Sequence, residues 1–218
     1  SNQKVTAIAE DTQGHIWIGT FRGLNKNNVH DYHQYFWTDD SLGLPDNQIT
    51  HLLRDSKNRF WVGTVNGVCL YTDKDNFRII PIEADNKNVR QILEDRNGRI
   101  FLNTGFQLYA YHPREEKITC VLPEISPGNA FYAQCHIAPD NNLWVMTSTG
   151  LRCYDPSTLQ LKESVALSGY PYYSYLHNNE LWITGNHTLS IFDTRTHSFK
   201  PLPQPSTTYT PTATTACC

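Results

Sequence analysis

The chain has 218 residues, 39% of them hydrophobic and 18% charged, with a formal net charge of -3. That balance fits a folded domain and lies within reach of a single all-β unit. No run approaches the ~20 apolar residues of a membrane helix, and the scattered Lys and Arg form no patch able to neutralise a phosphate backbone, which argues against nucleic acid as a partner and against direct membrane contact.

In chain order, Ser1-Asn2 has the look of a cloning remnant. No signal peptide is visible, and a leader or anchor upstream is left open. The first unit then opens on Val5-Thr6-Ala7-Ile8-Ala9-Glu10-Asp11, an apolar run closed by an aspartate. The same grammar returns at 49–55, closed by Asp55, and at 89–95, closed by Asp95. Six residues after each Asp stands an aromatic: Trp17, Trp61 or Phe101. Trp144 and Trp182 fill that role in two weaker copies, and the fourth copy has Ala138 in place of the aspartate. Successive aromatics are 44, 40, 43 and 38 residues apart, which is the period of a four-stranded propeller blade.

Three residues before each aromatic stands Gly14, Asn58, Gly98, Asn141 or Asn179. Gly and Asn accept a left-handed backbone at low steric cost, so this spacing predicts a tight hairpin turn. The Asp residues sit where a short carboxylate can accept the N–H groups of that turn. The strand after the turn, such as Phe60-Trp61-Val62-Gly63-Thr64, is apolar on both faces, as a strand between stacked sheets must be. The aromatic is expected to fill the gap between adjacent sheets. A second turn and a third strand follow, then a variable outer strand. In the first unit the segment 25–37 resists registration.

The fold class predicted is therefore all-β: a β-propeller of four-stranded blades, with five recognisable repeats at about 5–37, 49–80, 89–122, 131–165 and 170–200. Segment 201–218, rich in Pro and Thr, is expected to be a tail or linker. Cys69, Cys120, Cys135 and Cys153 lie in apolar runs and read as small buried hydrophobes. Pairing among them is left open, and Cys217-Cys218 end the chain. No metal or cofactor is expected. His30 and His33 lack a third ligand nearby, so an exposed polar loop is the expectation there.

The string Val5 to Leu24, with Asp11, Gly14, Trp17-Ile18-Gly19-Thr20 and Gly23-Leu24, resembles the two-component regulator propeller repeat. Leu44-Pro45-Asp46-Asn47-Gln48-Ile49 resembles the lead-in between such repeats, and 49–71 is a second close copy. The third copy departs from the pattern with Phe101 and Asn103, and the last two follow it mainly in phase. The resemblance implies the periplasmic sensor region of a hybrid histidine kinase of gut bacteria. Such sensors respond to oligosaccharides and signal as dimers. Family propellers are typically seven-bladed, so the resemblance also implies a fragment of a larger one.

Function on such a fold is expected in residues that break the repeat. Two loop sets near the axis supply the candidate ligand-binding residues. The entry into each first strand offers Asn47, Gln48, Asn88, Arg90, Tyr132 and Tyr172; the second turn offers Arg22, Asn66, Gln107, Asn186 and His187. Amides and a guanidinium can pair with hydroxyls or uronate carboxylates, and Tyr gives an apolar face to a pyranose. The run Tyr170-Pro171-Tyr172-Tyr173-Ser174-Tyr175 lines a channel, builds an interface or packs as an ordinary inner strand, the last being the expectation.

Two rival functions share the architecture. One is a propeller enzyme, glycosidase-like or lyase-like; the turn at Asp11 is similar to a sialidase hairpin but with a different Gly spacing, and the His residues form no clustered acid–base set. The other is a protein–protein assembly module. Five blades of a larger ring would expose two blade faces, so the chain is expected to close as a small propeller or to bury them against another copy.

Overall fold

A computed structural model describes residues 4–28, 31–38, 42–72, 75–125, 133–167 and 169–202. Tyr132, His30, the two C-terminal cysteines and the tail from 203 onward lie outside the described residues.

The first blade is β1 (Val5–Glu10), β2 (Ile16–Thr20), β3 (Gly23–Asn27) and β4 (Tyr32–Tyr35). The second is β5 (Ile49–Arg54), β6 (Phe60–Thr64), β7 (Gly67–Tyr71) and β8 (Phe77–Ile80). The third is β9 (Gln91–Glu94), β10 (Ile100–Asn103), β11 (Leu108–His112) and β12 (Lys117–Leu122). The fourth is β13 (Gln134–Ile137), β14 (Leu143–Thr147), β15 (Gly150–Tyr154) and β16 (Leu161–Ala166). The fifth is β17 (Pro171–His177), β18 (Glu180–Gly185), β19 (Thr188–Asp193) and β20 (Ser198–Lys200). Each blade is an antiparallel meander in sequence order. The segment that resisted registration resolves into β3 and β4, with Leu24 opposite Tyr35.

The repeat motif holds each first hairpin together. Asp55 Oδ1 accepts the N–H groups of Lys57 at 3.0 Å and Arg59 at 2.9 Å, while Oδ2 accepts Trp61 Nε1–H at 2.8 Å. Asp11 does the same for Gln13, His15 and Trp17. The six-residue spacing is thus the reach from a turn carboxylate to an indole N–H. Phe101 has no N–H, and in that blade Asp95 Oδ2 keeps only the arginine contact, from Arg99 Nε at 2.7 Å, which Asp55 also makes with Arg59 Nε at 2.6 Å. Gly14, Asn58, Gly98 and Asn141 adopt φ of 80°, 62°, 73° and 68°. In the fifth blade the left-handed residue is Asn178 (φ 55°), not Asn179. His177 pairs directly with Glu180, so only two residues make that turn.

Between blades lie the cores, one per joint. Trp17 is fully buried, with its ring 4.8 Å from Phe60 and 4.7 Å from Tyr71 of the next blade. Trp61 meets Tyr111 at 4.9 Å, and Trp144 meets Phe192 at 5.0 Å. Phe101 packs with Leu143, Val145 and Tyr154. Near the axis the sheets approach more closely. A Cβ on Gly19 would lie 2.5 Å from Ile49 Cγ2 of the next blade, which is why that position tolerates no side chain.

The stack ends in two uncovered faces. Ile8 is 65% exposed on the first blade, whereas its register equivalents Leu52 and Ile92 are buried. On the fifth blade Tyr173 and Tyr175 are exposed and Trp182 is only half-buried, so the expected ordinary inner-strand packing of the tyrosine run does not hold. No sheet covers that side of the strand among the described residues. The five blades therefore form an arc rather than the closed small ring that was one expectation.

Cys69, Cys135 and Cys153 are free and buried; Cys120, on the outer strand β12, is free and exposed. Burial pushes the Cys135 thiol up to about 12, so it remains protonated and unreactive at neutral pH. His33 is exposed, and its ring stacks on Tyr35.

Candidate functional site

The first strands of the blades converge on a cavity of about 540 Å³. Register explains which side chains reach it. Val5 pairs with Thr20 and Ala7 with Gly19, leaving Thr6 in a bulge. Thr50 and Tyr172 occupy the same bulge in their blades. Bulges re-aim a side chain out of the regular alternation, and all three line the cavity. Arg90 and Ala133, each just before the first paired residue of its strand, complete the set. One repeat position thus presents Thr, Thr, Arg, Ala and Tyr to a common space, in a chain whose packing positions are otherwise repetitive.

The neighbouring position staples blade to blade. His51 Nδ1 accepts the N–H of Ile92 at 3.3 Å. Gln91 Oε1 accepts the N–H of Cys135 at 2.9 Å, and Gln134 Oε1 accepts that of Ser174 at 2.5 Å. An inner-edge strand would otherwise present that N–H unpaired. Asn103 stands where the first two blades have Gly19 and Gly63, and donates to Gln91 Oε1 at 2.9 Å and to the Ala133 carbonyl at 3.1 Å. Burial lowers His51 to about 4, so its ring is neutral and free to accept. His136, 2.7 Å from Ser174 Oγ, is lowered to about 4 by the same cause.

Of the candidates taken from the sequence, Gln48, Asn88, Arg90 and Tyr172 line the cavity. Asn47 faces away from it: its Oδ1 accepts the N–H of Trp37 at 2.7 Å and its carbonyl accepts that of Gly23 at 2.7 Å. Arg22, Asn66, Asn186 and His187 are exposed and outside the lining. Gln107 is occupied in its own blade, accepting from the Tyr109 hydroxyl at 2.5 Å. The second turns do contribute, but one residue earlier, through Phe21 and Val65. Thr6, Thr50, Gln91 and Gln134 were missed because they sit on strands rather than in polar loops. Their signal was the repeat register itself.

Two buried oxygens of the lining, Thr6 Oγ1 and Asn88 Oδ1, have no hydrogen-bond partner. Both atoms are closed off from solvent, so neither touches the space of the cavity directly. The cavity offers amides, hydroxyls, a guanidinium and two aromatic rings, which suits a polyhydroxylated molecule.

The fold is a β-propeller arc, and the cavity lies where its first strands converge. Its first two units match a family model described as two component regulator propeller, over residues 1–22 and 43–66. Among solved structures, the extracellular domain of a protein described as a hybrid two component system from B. thetaiotaomicron aligns over 90% of this chain with 15% identity and a TM-score of 0.55. This chain spans only 36% of that domain. A second such domain from the same organism gives 18% identity and a TM-score of 0.50 over 94% of this chain and 35% of its own. Virginiamycin B lyase from Staphylococcus aureus gives 16% identity and a TM-score of 0.70 over 90% of this chain and 68% of its own. At these identities the likeness is one of fold. No curated protein matches the chain.

Proposed function

We propose that the chain is the extracytoplasmic ligand-sensing propeller of a hybrid two-component system, and that it binds an oligosaccharide in the axial cavity and signals through a dimer. The observation that carries this is one repeat position, bulged in three blades, at which all five blades line one cavity. The match to the two component regulator propeller model and the extracellular domains of hybrid two component systems that share the fold support the same reading. Occupancy would bridge inner strands of successive blades, and the staples at His51, Gln91 and Gln134 would pass the strain along the arc.

The likeness to a lyase keeps an enzyme as the second possibility. The described lining favours binding over turnover, since it holds Arg90 and Tyr172 but no carboxylate or imidazole to pair as acid and base. The test is isothermal titration of defined oligosaccharides against this chain and against Tyr172→Ala. Binding weakened about 10-fold or more by the substitution supports the proposal, taking the loss of one stacked ring as on the order of 1.5 kcal/mol. Turnover of a saccharide, or affinity indifferent to Tyr172, counts against it.

A further inference from the structure

We infer that Gln134 couples the axial cavity to the joint between the fourth and fifth blades: one end of its amide meets an acceptor on the occupant, and the other holds Ser174 of the next blade. This rests on the cavity being the ligand site. The three staple side chains differ in what they leave over. His51 stands outside the described lining. Gln91 closes on a single residue, its Oε1 accepting the Cys135 N–H at 2.9 Å and its Nε2 reaching the Cys135 carbonyl at 3.4 Å. Gln134 lines the cavity and spends only its carbonyl, which accepts the N–H of Ser174 at 2.5 Å and the Ser174 hydroxyl at 3.0 Å. A backbone N–H needs an oxygen opposite it, so the nitrogen is the end of the amide left over. Among the described residues Nε2 has no hydrogen-bond partner, and unlike Thr6 Oγ1 and Asn88 Oδ1 it is not closed off from solvent. An amide nitrogen offers donors only, so an occupant that meets it must bring an acceptor, a hydroxyl or carbonyl oxygen.

Behind Gln134 the hydrogen bonds run one way. His136, on the same strand β13, has its Nε2 2.7 Å from Ser174 Oγ. If the Ser174 hydroxyl gave its proton to that ring, Oγ and Gln134 Oε1 would stand 3.0 Å apart as two acceptors. The proton therefore goes to Gln134, and His136 Nε2–H donates to Ser174 Oγ. Donors thus line up from His136 through Ser174 and Gln134 to the cavity. In such a chain each bond polarises the next, so an acceptor at Gln134 Nε2 strengthens the amide carbonyl and tightens its hold on Ser174. Ser174 is buried in the joint, and the fifth blade has no sheet on its far side among the described residues, so this joint sets where that blade stands. Occupancy and joint are then linked in both directions.

The proton arrangement is tested without a ligand, by NMR of the imidazole nitrogens at neutral pH. His136 should be the Nε2–H tautomer in the unaltered chain and in Gln134→Glu, whose carboxylate still accepts from Ser174. In Gln134→Leu, which has no acceptor, the Ser174 hydroxyl turns to the ring and the Nδ1–H tautomer should prevail. Coupling is tested by amide hydrogen exchange with and without maltotriose, xylotriose, galactotriose or triacetylchitotriose, using each that isothermal titration shows to bind. Saturation should slow exchange at Ser174 about 5-fold or more beyond any change at Ile92, whose staple His51 is outside the lining. Gln134→Leu should weaken binding and remove that difference. Circular dichroism and thermal melts establish that each variant is folded. An Nδ1–H tautomer in the unaltered chain, or a tautomer indifferent to Gln134→Leu, breaks the chain of donors and overturns the inference. A bound trisaccharide that protects Ser174 and Ile92 alike overturns the coupling while the sensing proposal stands. If none of these trisaccharides binds, the ligand site itself is wrongly assigned and both proposals fall, whatever the tautomer.

Discussion

The second and fourth blades bury the same indole in two different ways. Trp61 and Trp144 are both 0% exposed, each against the following sheet. Around Trp61 both carboxylate oxygens of the motif are used, with Asp55 accepting from two turn N–H groups, from Arg59 Nε and from the indole. Around Trp144, Ala138 has no carboxylate to offer, Asp140 caps Asn142 from a different place, and the indole N–H has no partner. Apolar burial alone therefore suffices to keep the aromatic in its joint. The aspartate satisfies the N–H and stiffens the turn, and the repeat tolerates its loss. Trp182 marks the other limit, a motif residue with no following sheet over it, whose Nε1–H reaches Glu180 at 3.3 Å.

The largest effect should separate joint from open face. Trp61→Ala removes a fully enclosed aromatic and leaves a void between two sheets, for an expected loss of about 3–5 kcal/mol. Trp182→Ala removes an equivalent ring that is already half in water and should cost under ~1.5 kcal/mol. Urea midpoints at constant m-value measure both. Equal losses would mean that Trp182 is covered in solution, as it would be if a second copy docked on that face. Light scattering at low concentration then distinguishes such an assembly from a monomeric arc.

Acid should act next, through two joints. His51 and His136 are held near 4 by burial, below the ordinary histidine value of about 6.5. Between those limits the unfolded chain binds more protons than the folded one, so stability rises with pH across that window. The contribution is complete above about pH 6.5 and is lost as pH falls towards 4, roughly 2–3 kcal/mol for each histidine. His51→Gln keeps an acceptor for the Ile92 N–H and should flatten about half of the slope of folding free energy between pH 6.5 and 4.5. An unchanged slope would show that His51 is hydrated, with no part in the staple.

Much of this was legible from the repeat. The period placed the five hairpin-built sheets, and the Gly or Asn before each aromatic marked four of the five left-handed turns. The indole–carboxylate bond was not anticipated, although its constant six-residue spacing was in plain view; a turn carboxylate was assumed to be spent on its own N–H groups. The cavity was half legible. Arg90 and Tyr172 came from the expectation that loop residues breaking the repeat carry function. The same expectation passed over Thr6 and Thr50, because a bulge is a property of register between strands and cannot be seen along one of them. Tyr173 and Tyr175 were expected to be packed because tyrosines in a first strand usually face a neighbour, and the neighbour is what a terminal blade lacks.

The smallest effect, and the most direct test of what the aspartate contributes, is a gain. The fourth-blade turn already has the backbone of the others: Ala138 N–H donates to the Asn142 carbonyl at 2.9 Å and Asn141 N–H to the Ala138 carbonyl at 2.8 Å, as Asp55 and Asn58 do in the second blade. Ala138→Asp therefore places a carboxylate where the second blade holds one, within reach of the orphaned Trp144 N–H. Satisfying a buried donor in this way is worth on the order of 1–2 kcal/mol. Repulsion from Asp140 and burial of a new charge subtract from it, which leaves an expected net gain of about 1 kcal/mol. Asp140→Asn in the same background relieves the repulsion and should enlarge the gain. Trp144→Phe, which has no N–H to satisfy, should erase most of it. A destabilised Ala138→Asp that Asp140→Asn does not rescue would show that the fourth joint has closed over the space the aspartate needs, so that restoring the motif there requires repacking the joint as well.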